Sequence, residues 1–166
     1  MDFRPMRRAR QALDAEQIEA ILRRGSAGTL AVLGDGGWPY AVPLSYVYHN
    51  GRLYFHCATS GHKLDAVRAC DKASFCVIDR NDVVSSEFTT HYRSAIVFGA
   101  IREVVNPEEI MCAMRALAAK YSPAEGEDAF QREMKSSGAL CVLALDIERM
   151  SGKQGKELLK EKENTP

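Results

Sequence analysis

The sequence predicts a mainly β, α+β domain: six antiparallel strands curled into a closed or partly closed barrel, with flanking helices. Three observations point there. Runs of β-branched, aromatic and aliphatic residues follow one another across hairpin-type turns. Helical spacing is confined to the start, the middle and a late stretch, so strands and helices do not alternate as a doubly wound parallel sheet requires. An antiparallel sheet of this size must also hide its edges, and curling into a barrel does so.

The elements follow in order. Asp14 with Gln17 three residues on is a capping-box pattern, Ile18, Ile21 and Leu22 form an apolar stripe, and Gly25 is a stop, so a helix is expected over 14–24. TLAVL (29–33), YAVPLSYVY (40–48) and RLYFHC (52–57) read as strands joined by turns at GDGG (34–37) and HNG (49–51). Pro43 cannot donate a ladder hydrogen bond, which puts it at an edge or a bulge. A second helix is expected over 61–70 with Ser60 as N-cap, then strands over 73–79 and 94–105, with Gly99 as a bulge or close approach. Asn106-Pro107-Glu108-Glu109 opens a helix that stops near Pro123. A short helix over 124–136 ends before Ser137-Gly138, and ALCVLALDI (139–147) is apolar enough for a strand buried on both faces. Residues 1–150 are expected as one domain and 151–166 as a polar surface tail, with a short helix at most.

Composition bounds the function. A chain of 166 residues buries one sizeable core without metal or disulfide staples. Lys+Arg and Asp+Glu are both 22, which excludes a strongly basic nucleic-acid footprint. No apolar run reaches the 18 or so residues of a spanning helix, and no apolar segment follows the N-terminal arginines, so neither a membrane span nor a secretory signal is expected. The five cysteines are odd in number and lack a C-x-x-C, which points to a reducing cytoplasm.

The most informative stretch is YFHCATSGHK (54–63), where a strand gives way to a helix through Thr, Ser and Gly. First-turn amides have no internal partner and sit at the positive end of the helix dipole; with Thr59, Gly61, His62 and Lys63 they can cradle a phosphate. The competing reading is a plain N-cap followed by solvated polar residues. His56 alternates away from Leu53, Phe55 and Cys57, so with Tyr54 it is expected on a face open to a cleft or to solvent. There it is either an acid, a base or a stacking group, or a structural surface histidine. No metal site is expected: His56 and Cys57 are adjacent on a strand and point apart, and the spacing of His62 and Cys70 fits no zinc pattern. Thr89-Thr90-His91-Tyr92-Arg93-Ser94 is either a loop or a segment reaching a ligand or a second subunit.

VPLSYVY (42–48), LYFHCATSGHK (53–63), YRSAIVFGAI (92–101), the NPEE helix with its KY ending (106–121) and MSGK (150–153), in this order over residues 6 to 155, resemble the pyridoxamine 5′-phosphate oxidase-like flavin proteins. Within them the chain is most similar to the 5-nitroimidazole-resistance branch. The resemblance implies a six-stranded split β-barrel and a homodimer with two flavin mononucleotides (FMN) in clefts between subunits. It implies that Val42, Pro43 and Leu44 face the isoalloxazine, and that Thr59, Gly61, His62 and Lys63 hold the phosphate. His56 then lies near flavin and substrate, Tyr92 and Ser94 near the cofactor from the partner subunit, and Lys153 closes the site. Two departures stand out: Ser45 replaces an asparagine of many relatives and Cys57 a common serine. The basic strand of true pyridoxamine phosphate oxidases is here the apolar VPL, which argues against pyridoxal phosphate synthesis. The function implied is a flavin-dependent reductase, taking electrons from a reduced nicotinamide (NAD(P)H) to a nitro-aromatic or other small acceptor, with His56 as proton donor. The alternatives are a non-catalytic binder of flavin, haem or deazaflavin, and a structural dimer with an empty cleft.

Overall fold

A computed structural model describes residues 3–136 and 140–163. Helix α1 (Ala15–Arg24) opens with the expected capping box, Asp14 accepting from the Gln17 amide at 2.8 Å while the Gln17 side chain accepts from the Asp14 amide. After it come strands β1 (Ala27–Leu33), β2 (Pro39–Ser45), β3 (Val47–His49) and β4 (Arg52–Cys57), then helix α2 (His62–Ala69). Strands β5 (Lys72–Val84) and β6 (Thr89–Glu103), helices α3 (Pro107–Tyr121) and α4 (Glu127–Ser136), strand β7 (Cys141–Gln154) and helix α5 (Lys156–Glu163) complete the chain.

The seven strands form one antiparallel sheet in the order β2-β1-β5-β6-β7-β4-β3. The chain passes from β2, at one edge, to β3, at the other, through the single residue Tyr46. Two peptide units reach at most about 7.6 Å, so the sheet must roll until its edges meet at that corner. No ladder joins β2 to β4 among the described residues. The result is a barrel left unsealed along β2: a split barrel of the α+β class.

The seventh strand arises because the expected strand over 40–48 breaks at Tyr46. Its ring is fully buried, its hydroxyl donates to the Leu22 carbonyl at 2.8 Å, and its own amide donates to the Tyr121 hydroxyl at 2.9 Å. Lys120 Nζ donates to the carbonyls of Gly25 at 2.6 Å and Tyr46 at 2.9 Å, and lies 4.1 Å from the Tyr46 ring centroid. Burial draws this ammonium down to about 8.

Other boundaries also move. Strand β5 runs on to Val84 and β6 begins at Thr89, so the segment 89–94, open as a loop, is strand: Arg80 to Val84 pair with Arg93 to Thr89 in a two-stranded arm. Ladder pairing there overrides the poor strand propensity of Asn81 and Asp82. Gly61, at φ +121°, rather than Ser60, is the N-cap of α2. Strand β7 continues past 147 to Gln154, so the polar stretch expected as tail begins as sheet, and Leu158 of α5 is buried. The Ser137-Gly138 stop and the start of the last strand at 139 lie outside the described residues.

Two cores result. Inside the barrel, Leu30, Tyr46, Phe55, Phe75, Leu143 and Leu145 pack under Ile18, Ile21 and Leu22 of α1. Outside it, Tyr54, Val142 and Ala144 pack with Val47 and Val104 against Ala113 and Leu117 of α3. Residues 141–145 of β7 are therefore buried on both faces, as their unbroken apolar run implies. Tyr54 is corrected by the same finding: it lies under α3, donating its hydroxyl to Glu109 at 3.1 Å, and faces no cleft.

Candidate functional site

The split is the natural place for a ligand. Strand β2 pairs with β1 on one side only, so its other backbone edge has no strand partner among the described residues. Carried on past Val47, the register that sets Val47 opposite Tyr54 would place Ser45 beside His56 and Leu44 beside Cys57. Two observations agree. Ser45, His56, Cys57 and Ala58 line one cavity, and Tyr40 of β2 stacks on His62, ring centroids 4.2 Å apart. The free edge of β2 thus runs along the β4–α2 junction without bonding to it.

Val42 and Leu44 turn inward, half-buried against the barrel core, while Pro43 is exposed. Pro43 sits on an edge strand, where its missing N–H costs no ladder bond in the sheet interior. Across the split, Thr59 and Gly61 are exposed and Lys63 is half-buried. Leu64 and Asp65 donate to the Gly61 carbonyl at 2.9 and 3.1 Å, so the amides of His62 and Lys63 precede the first helical bonds. The N-cap supplies no side-chain bond to them, and a Cβ on Gly61 would meet nothing within 4 Å. The His62 ring itself turns to the β1–β2 hairpin: Nε2 lies 3.7 Å from Asp35 Oδ2 and accepts from the Asp35 amide at 3.5 Å. Sequence reasoning missed Tyr40 and Asp35, because hairpin proximity to α2 leaves no local signal.

His56 is exposed at a cavity of about 630 Å³ between the end of β4 and the α3–α4 pair. Its walls are largely apolar, with Met114, Leu117, Phe130, Met134 and Leu140, and Tyr121 and Glu133 add polar groups. The apolar periodicity of the late helices carries these residues, but only the fold brings them to His56.

Tyr92, Ser94 and Lys153 form a separate group. Ser94 pairs with Lys153 across β6 and β7, and Lys153 Nζ lies 5.4 Å from the Tyr92 ring centroid. Helix α2 is tied to the far end of β6, Arg68 donating to Glu103 at 2.6 and 3.2 Å. From Ser94 to Glu103 the strand rises roughly 30 Å. One copy of the chain therefore does not bring this group to the junction. Among the described residues no three His, Cys, Asp or Glu side chains cluster as a metal site.

The split barrel has a counterpart in a known family. The family model described as pyridoxamine 5′-phosphate oxidase matches residues 14–154. The chain belongs to this family. Its fold recurs in a candidate 5-nitroimidazole antibiotic resistance protein from Bacteroides thetaiotaomicron, 21% identical, with 86% of each chain covered and a TM-score of 0.69. A conserved hypothetical protein from Mycobacterium tuberculosis is 16% identical over 93% of this chain and 92% of its own, with a TM-score of 0.78. An FAD-binding protein from Mesorhizobium loti is 22% identical over 88% and 98%, with a TM-score of 0.64. No curated protein matches the chain in sequence. Membership in the pyridoxamine 5′-phosphate oxidase family agrees with the resemblance carried by its motifs. No helix among the described residues is long and apolar enough to cross a membrane.

Proposed function

We propose that this protein is a flavin-dependent oxidoreductase that holds FMN in the split between β2 and the β4–α2 junction. One observation carries the reading: an apolar strand with a free backbone edge runs beside a helix N-terminus that opens with a glycine at φ +121° and continues into His62 and Lys63. A planar ring bearing a phosphate monoester needs such a pair of surfaces. The descriptions of relatives as FAD-binding and as a candidate 5-nitroimidazole resistance protein support a flavin and a nitro-aromatic acceptor.

Bound flavin would supply two-electron chemistry, taking a hydride from a reduced nicotinamide and passing electrons to the acceptor. The chain's residues do the rest. The His62 and Lys63 amides, the Thr59 hydroxyl and the Lys63 ammonium hold the phosphate, with Gly61 keeping the approach clear. Val42, Pro43 and Leu44 flank the ring, and the edge of β2 offers backbone donors and acceptors to its polar rim. The apolar walls of the neighbouring cavity exclude water, and His56 delivers a proton to the acceptor there. The strand apposed to the ring carries no arginine, which disfavours a phosphorylated pyridoxine substrate.

A second copy of the chain completes the cleft with Tyr92, Ser94 and Lys153. The outward face of the sheet supports this. Ala31, Cys76, Ile78, Ile96 and Phe98 alternate away from the barrel core, yet are apolar, and Ile78 is 66% exposed. An antiparallel face left to solvent normally reads polar.

Titration of the protein with FMN and with riboflavin tests the proposal. Lys63→Ala should weaken FMN by roughly 10- to 100-fold, the worth of one charge-assisted hydrogen bond, and leave riboflavin unchanged. Equal losses for both ligands contradict it. His56→Ala should lower turnover by 100-fold or more while the protein retains its cofactor; unchanged turnover removes His56 from the mechanism.

A further inference from the structure

The β4–β7 ladder ends on two cysteines. Cys57 closes β4, Cys141 opens β7, and they are directly opposite in register. Directly opposed residues lie about 4.5–5.5 Å apart at Cα, inside the 4.4–6.8 Å that a disulfide spans. They also share one face of the sheet, and both side chains pack with the barrel core. Both are free thiols. None of the other cysteines has this arrangement: Cys76 pairs with Ile96 and Thr29, Cys70 caps α2, and Cys112 is exposed on α3.

The two sulfurs differ in access. Cys57 is half-buried and lines the cavity beside His56, so a small solute reaches it. Cys141 is 9% exposed and lies 3.7 Å from Glu103 Oε2. Burial first, then Cys57 and Glu103, push the Cys141 thiol up to about 12. It therefore keeps its proton at neutral pH, and the more accessible Cys57 is the sulfur that an oxidant meets first.

We propose that Cys57 and Cys141 are a reversible dithiol–disulfide couple, oxidised by small hydroperoxides that enter through the His56 cavity, with Cys57 attacking first and Cys141 resolving. In the first step the Cys57 sulfur attacks a peroxide oxygen. The O–O bond breaks, the thiol proton leaves with the departing oxygen as an alcohol (water when the oxidant is hydrogen peroxide), and Cys57 becomes a sulfenic acid. In the second step the Cys141 sulfur attacks Cys57. The S–O bond breaks, an S–S bond forms, and the hydroxyl leaves with the Cys141 proton as water. Two electrons pass from the two sulfurs to the peroxide, and an external thiol reverses the change. The bond would pin the end of β4 one residue before the junction begins.

The test uses the full chain with Cys112→Ser, because Cys112 is exposed with His49 Nε2 3.4 Å from its sulfur and would compete for oxidant. Of the five cysteines, four then remain. One equivalent of hydrogen peroxide should lower the thiol count under denaturing conditions from four to two, and dithiothreitol should restore it. Tryptic mapping without reduction should join the peptide spanning 53–63 to the one spanning 136–149. With Cys141→Ser added, dimedone should trap a sulfenic acid on Cys57; with Cys57→Ser added instead, Cys141 should stay unlabelled and no disulfide should form. Four surviving thiols, a bridge between other cysteines, or labelling of Cys141 in the Cys57→Ser chain each overturn the proposal.

Discussion

Replacing Gly99 by alanine should unfold the protein far more readily than its one added methyl suggests. Gly99 is buried in β6 at the point where the β6–β7 register slips, between Phe98 and Gly99. A Cβ built there would stand 2.0 Å from the Asp146 carbonyl oxygen and 2.9 Å from its carbon, where ordinary contact begins at 3.4 Å. The obstacle is backbone, so the strands must part by more than an ångström, which stretches the adjacent ladder bonds beyond useful length. Two such bonds at about 1 kcal/mol each, together with about 1–3 kcal/mol of overpacking strain, give a loss of about 3–5 kcal/mol. For a chain of this size each kcal/mol moves Tm by about 2–4 °C, so the midpoint should fall by roughly 6–20 °C. Urea and thermal unfolding followed by far-ultraviolet circular dichroism measure it. Gly126→Ala is the control, since a Cβ there meets nothing within 4 Å; it should stay within about 0.5 kcal/mol of wild type. A loss below about 1 kcal/mol for Gly99→Ala, or one matching the control, would refute the close-approach reasoning.

Asp79 sits with its side chain 7% exposed between Arg24 and Arg93, each donating to it at 2.5 Å. Burial alone would raise this carboxyl, but the two guanidinium hydrogen bonds outweigh it and hold it below the ordinary carboxylate range. Asp79→Asn should cost about 2 kcal/mol at pH 7; because the folded value is depressed, that advantage of wild type should vanish as pH falls below about 4, read as urea midpoints from pH 7 to pH 3. Lys120 behaves in the opposite sense. Its folded value near 8 lies below the ordinary lysine value, so the unfolded chain binds more protons between about pH 8 and 10.5 and stability rises with pH through that window. The stability of wild type relative to Lys120→Met should accordingly grow by about 1 kcal/mol from pH 7.5 to pH 9.5; a flat difference would contradict the burial of the ammonium. Tyr46→Phe strands the Leu22 carbonyl, which accepts the buried hydroxyl at 2.8 Å, and should cost about 1–3 kcal/mol in the same assay, with a loss under 0.5 kcal/mol counting against the role of Tyr46 as the corner of the barrel.

Much of the fold was legible because its signals are local. The Asp14–Gln17 capping box, the Asn106-Pro107 helix start and the tight approach at Gly99 are read from a few neighbouring residues and recur in the structure. What the sequence hid depends on distant partners. Nothing in YAVPLSYVY marks Tyr46 as a corner, since the break is enforced by Leu22, Lys120 and Tyr121 from other elements. Alternation placed Tyr54 and His56 on one face correctly, but could not tell that α3 covers the first and leaves the second open. The polar run 148–154 was unreadable as strand because β6 and α1 hold it there: Gly152 is small enough to admit Ile18, whose Cγ1 would lie 2.6 Å from an added Cβ. At the site, the phosphate-cradle residues lie within five positions of one another and were read together. The match between β2 and the junction emerges only from the register of β3 on β4.

The most direct test of the whole account is a crystal structure of the protein grown with FMN. The phosphate is expected on the His62 and Lys63 amides, the ring along the edge of β2 at Val42 to Leu44, and Tyr92, Ser94 and Lys153 of a second copy approaching the same cleft. A flavin bound elsewhere on the barrel, with residues 59–63 free of any anion, would contradict it.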